Sequence, residues 1–377
     1  MKTKLPIYII IGTRAQLIKM APIMRLLEKE GIKYNFLYTQ QHKATISDLI
    51  ENFKLETPYL NIIQREEEAR TIKLFLGWGF QMLLTLLNPF SRKKILKEGR
   101  GLIITHGDTA TTAWAAIYAR TSFCQVMHVE SGMRSHNLLK PFPEELMRLI
   151  TFFFTNYYVC PYQEAVDNLR RFRGKKLNVG ANPMYDAFMY AHKNMSSKRL
   201  KEVKTKFNLP DKFALVSIHR YENIFKEDKF IVILDLLKHV SKKIQLVMVL
   251  HPATEKQLKK IGAYRKLQTD KHIALLKRQD FLNFVAITKL SEFMITDGGS
   301  NQQEMSYLGK PTLLMRDITE SKEGVGKNIV ISYYNKKIID DFVVNYTKYQ
   351  YPIQKITPSP SKLTVDLIKE VVNKNTS

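Results

Sequence analysis

Short apolar runs alternate with amphipathic stretches along most of the chain. Residues 6–11 and 123–127 are apolar runs of strand length. The stretch 17–30 has apolar residues at helical spacing, namely Leu17, Met20, Met24 and Leu27. Buried strands that alternate with helices are typical of a parallel sheet. We therefore predict an α/β fold.

The pattern restarts in the second half of the chain. The predicted strands there are residues 213–218, 245–250, 291–296 and 312–315. We interpret the basic, polar stretch 192–206 as a linker, and a length of 377 residues fits two domains. The predicted organisation is a β/α domain at 1–185, a second at 205–355, and a segment at 356–377 whose helix (361–373) packs back on the first domain.

Acidic side chains follow two successive predicted strands. Residues 101–105 lead into a turn that contains Asp108, and residues 123–127 lead into a turn that contains Glu130. Ligands bind at the carboxyl ends of parallel strands, and two acids in one crevice can divide acid and base work. A single acid at such a turn is more often a helix cap. Two in succession, followed by Glu144 and Glu145, favour a site.

Two further turns are suited to anions. Arg14 and Lys19 lie at the start of the helix that follows the first strand, and Gly298, Gly299 and Ser300 begin the helix after residues 291–296. Backbone N–H groups at such helix starts bind phosphate or carboxylate groups. Glu304, one turn further on, could accept the hydroxyls of a ribose. Either turn alone is a weak signal, because strand–glycine–helix turns are common in α/β proteins.

The net charge of +24 favours anionic partners such as nucleotide sugars, anionic lipid surfaces or nucleic acid. A general richness in lysine is an equally simple interpretation.

We find no zinc-ligand spacing and no nucleic-acid module, and we expect neither a metal nor a cofactor. Cys124 and Cys160 lie in apolar runs and are expected to be buried thiols rather than a disulfide. Residues 6–11 predict a first strand rather than a signal peptide.

Residues 74–90 carry no charge and are followed by Arg92, Lys93 and Lys94. A stretch this short, with Gly, Gln, Asn and Pro, does not fit a membrane span well. We favour a buried or dimer-forming helix. The alternative is a helix on the membrane surface, with Trp78 and Phe80 as anchors and the basic run against anionic lipid.

The chain resembles the UDP-N-acetylglucosamine 2-epimerase family of the non-hydrolysing, bacterial type, from residue 12 to about residue 330. The resemblance rests on motifs in the order of the family: G-T-R-x-x-x-I-K-M-A-P (12–22), Q-H (41–42), H-G-D-T (106–109), H-V-E-x-G-x-R (128–134), P-E-E (143–145), H-R-x-E-N (219–223), D-G-G-S-N-Q-Q-E (297–304) and G-K-P-x-L-x-M-R-D (309–317). It implies two Rossmann-like domains that face each other across a cleft, the type-B glycosyltransferase architecture.

The resemblance also implies a reaction. UDP leaves UDP-N-acetylglucosamine by elimination, and it adds back with the proton on the other face of C2, giving UDP-N-acetylmannosamine. A related UDP-2-acetamido sugar is an equally good candidate for the substrate, because nothing in the sequence reads the substituents at C4 and C6. Such a reaction requires a positioned base and acid and cationic stabilisation of the leaving diphosphate.

Residue roles follow from the matched motifs. The implied catalytic set is Asp108, Glu130, Glu144 and His219, with the histidine steadying the diphosphate. The implied substrate contacts are Arg14, Lys19, Phe284 (uracil), Gly298, Gly299, Ser300 and Glu304 (ribose). A second, allosteric UDP-sugar site is implied at Gln41, Glu145, Arg220 and His251.

Several positions depart from the pattern of the family. Ala15 and Gln16 replace Pro-Glu, Gln303 replaces an acid, and Ala44 stands where a longer polar residue is usual in the second site.

The alternatives to the epimerase are a membrane-associated UDP-sugar-dependent glycosyltransferase, a hydrolysing 2-epimerase and, last, a UDP-sugar sensor without turnover. We expect a cytoplasmic homodimer that serves surface polysaccharide synthesis, with peripheral contact to the inner face of the membrane as an alternative.

Overall fold

The computed structural model describes residues 5–41, 46–63, 72–138, 143–319 and 322–374, with the backbone alone at 72–76, 87 and 89. His42 and Ala44, named from the sequence, lie outside these ranges. The chain divides into two compact units, residues 1–187 with 356–377 (unit 1) and residues 188–355 (unit 2).

In the described part of unit 1, seven parallel strands form a sheet in the order β3-β2-β1-β4-β5-β6-β7. The strands are β1 (Ile7–Ile11), β2 (Asn35–Tyr38), β3 (Tyr59–Asn61), β4 (Leu102–His106), β5 (Gln125–Val129), β6 (Tyr157–Cys160) and β7 (Lys175–Asn178). The helices are α1 (Arg14–Lys29), α2 (Ser47–Phe53), α3 (Ile72–Leu87), α4 (Pro89–Ile95), α5 (Ala110–Thr121), α6 (Glu144–Phe154), α7 (Gln163–Asn168) and α8 (Met184–Lys193), the last of which continues into unit 2.

In unit 2, six parallel strands have the order β10-β9-β8-β11-β12-β13. They are β8 (Phe213–Ser217), β9 (Gln245–Leu250), β10 (Ile273–Lys277), β11 (Phe293–Thr296), β12 (Thr312–Leu314) and β13 (Ile329–Ile331). The helices are α9 (Ser197–Lys206), α10 (Tyr221–Ile224), α11 (Glu227–Ser241), α12 (Pro252–Lys260), α13 (Ala263–Gln268), α14 (Phe281–Leu290), α15 (Gly299–Leu308) and α16 (Lys336–Asn345), followed by a 3₁₀ turn (Tyr346–Tyr349).

Both sheets have central strands that are buried throughout, because helices cover both faces of a parallel sheet. All five residues of β1 are buried, as are all four of β11. Each sheet reverses its order of connection at one point, between β1 and β4 in unit 1 and between β8 and β11 in unit 2. These are the topological switch points, where open α/β sheets bind ligands. The predicted class, parallel α/β in two Rossmann-like units, is confirmed.

The last helix, α17 (Pro360–Lys374), belongs to unit 1 and packs against α1. Lys369 Nζ lies 2.7 Å from Glu30 Oε2, and the backbone N–H of Ser361 donates to Asp186 across 2.7 Å. The buried face of α17 includes Val365, Leu367 and Ile368. The chain therefore crosses between the units twice, near residues 187 and 355.

The linker predicted at 192–206 is wrong. Residues 197–206 form α9, which packs on α14 within unit 2. Arg199 Nη2 donates to Asn283 Oδ1 across 2.8 Å, and Val203 is fully buried. Lysines on the solvent face of this helix give the stretch the composition of a linker.

The uncharged stretch 74–90 falls in α3 and the start of α4. One side of α3 is buried and the other is exposed. Trp78 and Met82 are buried, and the indole N–H of Trp78 donates to the carbonyl oxygen of Thr39 across 3.1 Å. Trp78 as a membrane anchor is therefore wrong, whereas Phe80 is 61% exposed. In the part of the chain that the structure describes, no helix is long and apolar enough to cross a membrane.

Gly132, two residues after Glu130, fixes the path of the loop after β5. Its φ is +83°, and a Cβ there would lie 2.0 Å from the carbonyl oxygen of Ala165. We expect Gly132→Ala to lower the free energy of unfolding by about 3 kcal/mol, since conformational strain and backbone overlap add. Urea titration followed by circular dichroism measures this loss.

Gly180→Ala is the matched control for Gly132→Ala. Gly180 also has a positive φ, +77°, but a Cβ on this residue would have no neighbouring atom within 4 Å. Only the conformational cost of about 1 kcal/mol remains there. Equal losses in the two variants would contradict the role of the contact with Ala165.

Candidate active site

Glu130, directly after β5, is the centre of one charged cluster in unit 1. Its φ of 61° is uncommon outside glycine, and such strain is retained mostly at functional sites. Lys19 Nζ lies 2.9 Å from Oε1 and 2.6 Å from Oε2 of Glu130. His106 Nε2, at the end of β4, lies 2.9 Å from Oε2.

These neighbours set the charge of Glu130. Burial raises the pKa of the carboxyl, but its interactions with Lys19 and His106 outweigh burial and hold the pKa well below its usual range. The side chain of Glu130 is 15% exposed, so solvent weakens these interactions little. Glu130 is therefore held as a carboxylate at neutral pH.

His128, on β5, joins the turns that carry Asp108 and Glu130. Burial lowers its pKa to about 4, so the ring is neutral at neutral pH. Nε2 lies 2.7 Å from the carbonyl oxygen of Gly107, and Nδ1 lies 2.8 Å from the hydroxyl of Ser131. Since a carbonyl oxygen only accepts, Nε2–H donates to Gly107 and Nδ1 accepts from Ser131. The neutral ring thereby ties the ends of β4 and β5 together.

A second charged cluster links Asp108 to α6. Arg148 Nη2 donates to Asp108 Oδ2 across 2.6 Å, and its Nη1 donates to Glu145 Oε2 across 3.0 Å. Glu145 is fully buried and also accepts from Arg134 Nε and from the backbone N–H of Ser135. Two arginines thus balance two carboxylates in one network.

The network shifts the pKa of Glu145 and the pKa of Arg148 in the directions that keep these two groups charged. Burial raises the pKa of Glu145, but the N–H of Ser135 and both arginines outweigh it and lower the pKa to about 2. Burial lowers the pKa of Arg148, and Asp108 together with Glu145 raises it above the ordinary value. Glu145 therefore acts here as the buried anchor of two arginines.

The acids predicted from the sequence are thus brought to one edge of the sheet but not into direct pairing. β4 and β5 are adjacent and parallel, with His106 opposite Val129, so Asp108 and Glu130 follow neighbouring strand ends. In the described residues, each has its own cation, Arg148 for Asp108 and Lys19 for Glu130.

Glu144, the first residue of α6, differs from the other acids of this edge. Its Oε2 is buried and has no hydrogen-bond partner among the residues that the structure describes. A buried polar atom without a partner is uncommon and calls for an explanation. A ligand that donates a hydrogen bond or a proton to this oxygen would satisfy it.

The two predicted basic groups at the start of α1 are both paired with carboxylates. Arg14 donates from Nη1 and Nη2 to the two oxygens of Asp48, across 2.6 and 2.5 Å. This pairing lowers the pKa of Asp48. An anion that binds Arg14 or Lys19 must therefore compete with Asp48 or Glu130.

Gln16 and Gln41 fix the backbone around the switch point of unit 1. Gln16 is buried; its Oε1 accepts from the N–H of Gly12 across 2.8 Å, and its Nε2 donates to the carbonyl oxygen of His106 across 2.6 Å. Gln16 thus joins the ends of β1 and β4, and only an amide can accept and donate in this way. Gln41 Oε1 accepts from the hydroxyl of Thr111 across 2.9 Å, at the start of α5.

In unit 2, Asp297 organises the ends of β8 and β11. Its carboxylate is fully buried and accepts from the N–H groups of His219 and Arg220 across 2.9 and 3.0 Å, and from Asn223 Nδ2 across 2.9 Å. The Nδ1 of His219 is 3.6 Å from the same carboxylate. A buried carboxylate with three donors fixes both loops relative to each other.

His219 lies against the glycine turn at the start of α15. A Cβ on Gly298 would be 2.6 Å from His219 Cε1, whereas nothing lies within 4 Å of the corresponding position at Gly299. The ring of His251 is 5.8 Å from that of His219, and burial lowers its pKa. The imidazole of His219 and the N-terminal N–H groups of α15 therefore border the same loop, as a phosphate group requires.

The remaining predicted residues of unit 2 are spread over this edge. Ser300 is exposed and Glu304 is buried, both in α15. Arg220 Nε lies 2.5 Å from Glu222 Oε1. Phe284 is half-buried on α14, the helix that leads into β11.

Sequence reasoning assigned no role to Arg148, Asp297 or His106. Arg148 has a recognisable signal, since it lies four residues after Glu144 on a helix and so faces the same side. Asp297 and His106 belong to the family motifs. However, Asp297 accepts from His219, 78 residues away in the sequence, and His106 contacts Glu130, 24 residues away. Among the described residues, no group of three or more His, Cys, Asp or Glu side chains could hold a metal ion.

A comparison with protein families matches residues 25–355 to the family described as UDP-N-acetylglucosamine 2-epimerase. A curated relative from Methanocaldococcus jannaschii, named UDP-N-acetylglucosamine 2-epimerase, is 32% identical over 88% of this chain and 89% of its own. The family match thus spans parts of both units and includes Asp108, Glu130 and Asp297.

Two solved structures have the same fold over nearly the whole chain. The M. jannaschii UDP-GlcNAc 2-epimerase in complex with UDP-GlcNAc and UDP has a TM-score of 0.76 and 28% identity, and covers 97% of this chain and 100% of its own. The Neisseria meningitidis UDP-GlcNAc 2-epimerase bound to UDP-GlcNAc has a TM-score of 0.79 and 25% identity, with the same coverage.

The charge of Glu145 predicts a pH-dependent contribution to stability. Its pKa falls from 4.5 to about 2 on folding, so this stability is full above pH 4.5 and is lost as the pH falls toward 2. We expect Glu145→Gln to lower the free energy of unfolding by about 3 kcal/mol at neutral pH. The difference from the wild type should shrink steadily below pH 4.5, as measured by urea titration at several pH values.

Glu144→Gln is the control for this experiment. Glu144 is the neighbouring residue of the same helix, and its Oε2 makes no hydrogen bond among the described residues. We expect a small difference from the wild type in this variant at neutral pH. A Glu145→Gln difference that stays constant down to pH 3 would contradict the assignment.

Proposed function

The chain belongs to the UDP-N-acetylglucosamine 2-epimerase family, and from that premise we propose that it is an isomerase that interconverts UDP-N-acetylglucosamine and UDP-N-acetylmannosamine. The observation that carries the proposal is the charged edge of unit 1, where Asp108 and Glu130 follow the adjacent strands β4 and β5 and Glu144 begins α6. A related UDP-2-acetamido sugar remains within the proposal, because no described residue is assigned to C4 or C6.

The proposed reaction has two balanced halves. A base takes the proton from C2, the C1–O bond to UDP breaks with its electron pair on the leaving phosphate, and a C1=C2 double bond forms. The diphosphate oxygen then adds back to C1, and C2 receives a proton on the opposite face. No net oxidation or reduction occurs, and no second substrate is consumed.

The acids of unit 1 are proposed to carry the proton transfers. Support comes from their different environments, because a base and an acid must differ in proton affinity. Glu130 is held as a carboxylate by Lys19, Asp108 is paired with Arg148, and Glu144 has a buried oxygen without a partner among the described residues. Arg148 is proposed as the residue that positions Asp108.

The leaving diphosphate is proposed to bind at His219 and at the start of α15. The support is the contact between the imidazole and the turn at Gly298, next to the N–H groups of a ten-residue helix. Arg14 and Lys19 are proposed as further cations for the same group, with Glu304 for the ribose and Phe284 for the uracil. Gln41, Glu145, Arg220 and His251 are proposed for a second UDP-sugar, although Glu145 already holds two arginines.

The state of assembly and the location are also proposals. We propose a homodimer in the cytoplasm, from the family resemblance alone, that supplies surface polysaccharide synthesis. Peripheral contact with the inner face of the membrane is proposed from the exposed side of α3 and α4.

Proton NMR of the protein with UDP-N-acetylglucosamine in D₂O tests the reaction. We expect the C2 proton signal to disappear while UDP-N-acetylmannosamine grows in. Free N-acetylmannosamine with released UDP would instead indicate a hydrolysing epimerase. An unchanged spectrum, with binding shown by a rise in unfolding temperature, would overturn the epimerase proposal for this substrate and direct the search to glycosyl transfer.

We expect Asp108→Asn and Glu130→Gln each to lower turnover by at least about a hundredfold, the scale of a lost acid–base group. The same NMR exchange assay measures the effect. Asp167→Asn is the control, because it removes a carboxylate of α7 that pairs with Arg170 on the surface. UDP-N-acetylglucosamine should still raise the unfolding temperature of Asp108→Asn, so that lost folding is not mistaken for lost chemistry. Near-normal turnover in either variant would remove that residue from the mechanism.

A further inference from the structure

Two successive tyrosines follow β13 in a backbone conformation that is uncommon outside glycine. Tyr333 has a φ of 48° and Tyr334 has a φ of 54°. Left-handed backbone at a bulky residue carries a conformational cost and is retained mostly at functional sites. The N–H of Tyr333 donates to the carbonyl oxygen of Arg316 across 3.1 Å. The turn after β13 is therefore held against the loop after β12.

This turn directs the side chain of Tyr334 back toward the switch point of unit 2. Its hydroxyl donates to Asn223 Oδ1 across 2.8 Å and lies 3.0 Å from the carbonyl oxygen of Met315. Asn223 belongs to α10, which follows β8, and β11 and β12 lie between β8 and β13 in the sheet. The hydroxyl of Tyr334 thus connects loops that follow strands three places apart.

The amide of Asn223 has one suitable orientation in this place. Asn223 is buried, and its Nδ2 donates to Asp297 Oδ2 across 2.9 Å and to the carbonyl oxygen of Met315 across 3.2 Å. Since a carboxylate and a carbonyl oxygen only accept, the amide nitrogen must face them, and Oδ1 must accept from a donor. Tyr334 supplies that donor. Without it, Oδ1 would be a buried acceptor with an unmet hydrogen bond, which is costly.

Asp297 connects Asn223 to the loop that carries His219. Its buried carboxylate accepts from the backbone N–H groups of His219 and Arg220 as well as from Asn223. One row of hydrogen bonds therefore runs from Tyr334 through Asn223 and Asp297 to the backbone of His219. Every member of this row belongs to unit 2.

Lys229 fixes the ring of Tyr334. Its Nζ lies 4.3 Å from the centroid of the ring and 3.6 Å from Asp317 Oδ2. A cation over the face of a phenol ring is attracted to it and restricts its orientation. Burial raises the pKa of the Tyr334 hydroxyl, so this group keeps its proton at neutral pH and remains a donor.

We propose that Tyr334 is a positioning residue for the binding of a nucleoside diphosphate, because it holds the loop of His219 in place through Asn223 and Asp297. The inference rests on the assignment of His219 to the diphosphate in the proposed function. It adds a residue that lies outside the motifs that match the family.

The test compares the binding of UDP to the wild type and to Tyr334→Phe by isothermal titration calorimetry. Phenylalanine keeps the ring and removes only the hydroxyl. We expect the Kd for UDP to rise about fivefold, the scale of one lost hydrogen bond. Because the diphosphate is bound before the reaction as well as during it, the KM for the UDP-sugar should rise by a similar factor, with little change in kcat.

Two tyrosines of unit 2 provide matched controls. Tyr333→Phe removes a hydroxyl from the neighbouring residue, whose side chain is 56% exposed and whose φ is also positive. Tyr346→Phe removes a hydroxyl that donates to Glu292 Oε2 across 3.0 Å, away from the row of Tyr334. Both variants should bind UDP as the wild type does, although Tyr346→Phe loses a hydrogen bond that contributes to stability.

Circular dichroism and urea titration establish that each variant is folded at the temperature of the titration. A lowered stability of Tyr334→Phe with an unchanged Kd for UDP would overturn the proposal, since the row would then serve the fold alone. Equal weakening in Tyr346→Phe would also overturn it, in favour of a general loosening of unit 2.

The measurement of UDP binding keeps this inference separate from the reaction. A wild type that binds UDP but gives no exchange at C2, together with the expected rise of Kd in Tyr334→Phe, would support the positioning role and refute the epimerase proposal. A wild type that does not bind UDP would overturn both the positioning role and the assignment of His219 to the diphosphate.

Discussion

The need to neutralise buried carboxylates governs the architecture of unit 1 around its switch point. A buried carboxylate without a partner is costly, and removal of one partner from a buried ion pair destabilises strongly. Glu145 is fully buried with two arginines and a backbone N–H around it, and Glu130 is held by Lys19. Because these partners come from α1, α6 and the loop after β5, the ion pairs tie two helices and this loop to the edge of the sheet.

The two clusters have different consequences for chemistry. The cluster of Asp108, Arg148, Glu145 and Arg134 is internally balanced and anchored by a fully buried acid, which suits a group that must keep its position. The pair of Glu130 and Lys19 is smaller, with side chains 15% and 18% exposed. Asp108 in the first cluster is 34% exposed, so of these acids it is the one most open to solvent.

Much of the fold could be predicted from the sequence, because the apolar runs of β1 and β11 are short and unbroken and their turns begin with polar residues. The same local pattern placed Asp108 and Glu130 after neighbouring strands. The partners of those acids could not be predicted in this way, because Arg148 pairs with Asp108 across 40 residues.

Trp78 shows a further limit: helical spacing indicates a helix, but only packing decides which side is buried. For residues 192–206 the composition was misleading. The stretch is rich in lysine, yet Val203 is buried and holds the helix against unit 2.

The pairing of Lys19 with Glu130 also couples anion binding to proton affinity. The positive charge of Lys19 is one of the causes that hold the pKa of Glu130 low, while burial acts in the opposite direction. An anion bound to Lys19 would share that charge and would add a negative charge nearby. Both effects would raise the pKa of Glu130. If Lys19 binds the diphosphate as proposed, Glu130 would be a stronger base in the complex than in the free protein, which is the state in which the proposed reaction needs a base.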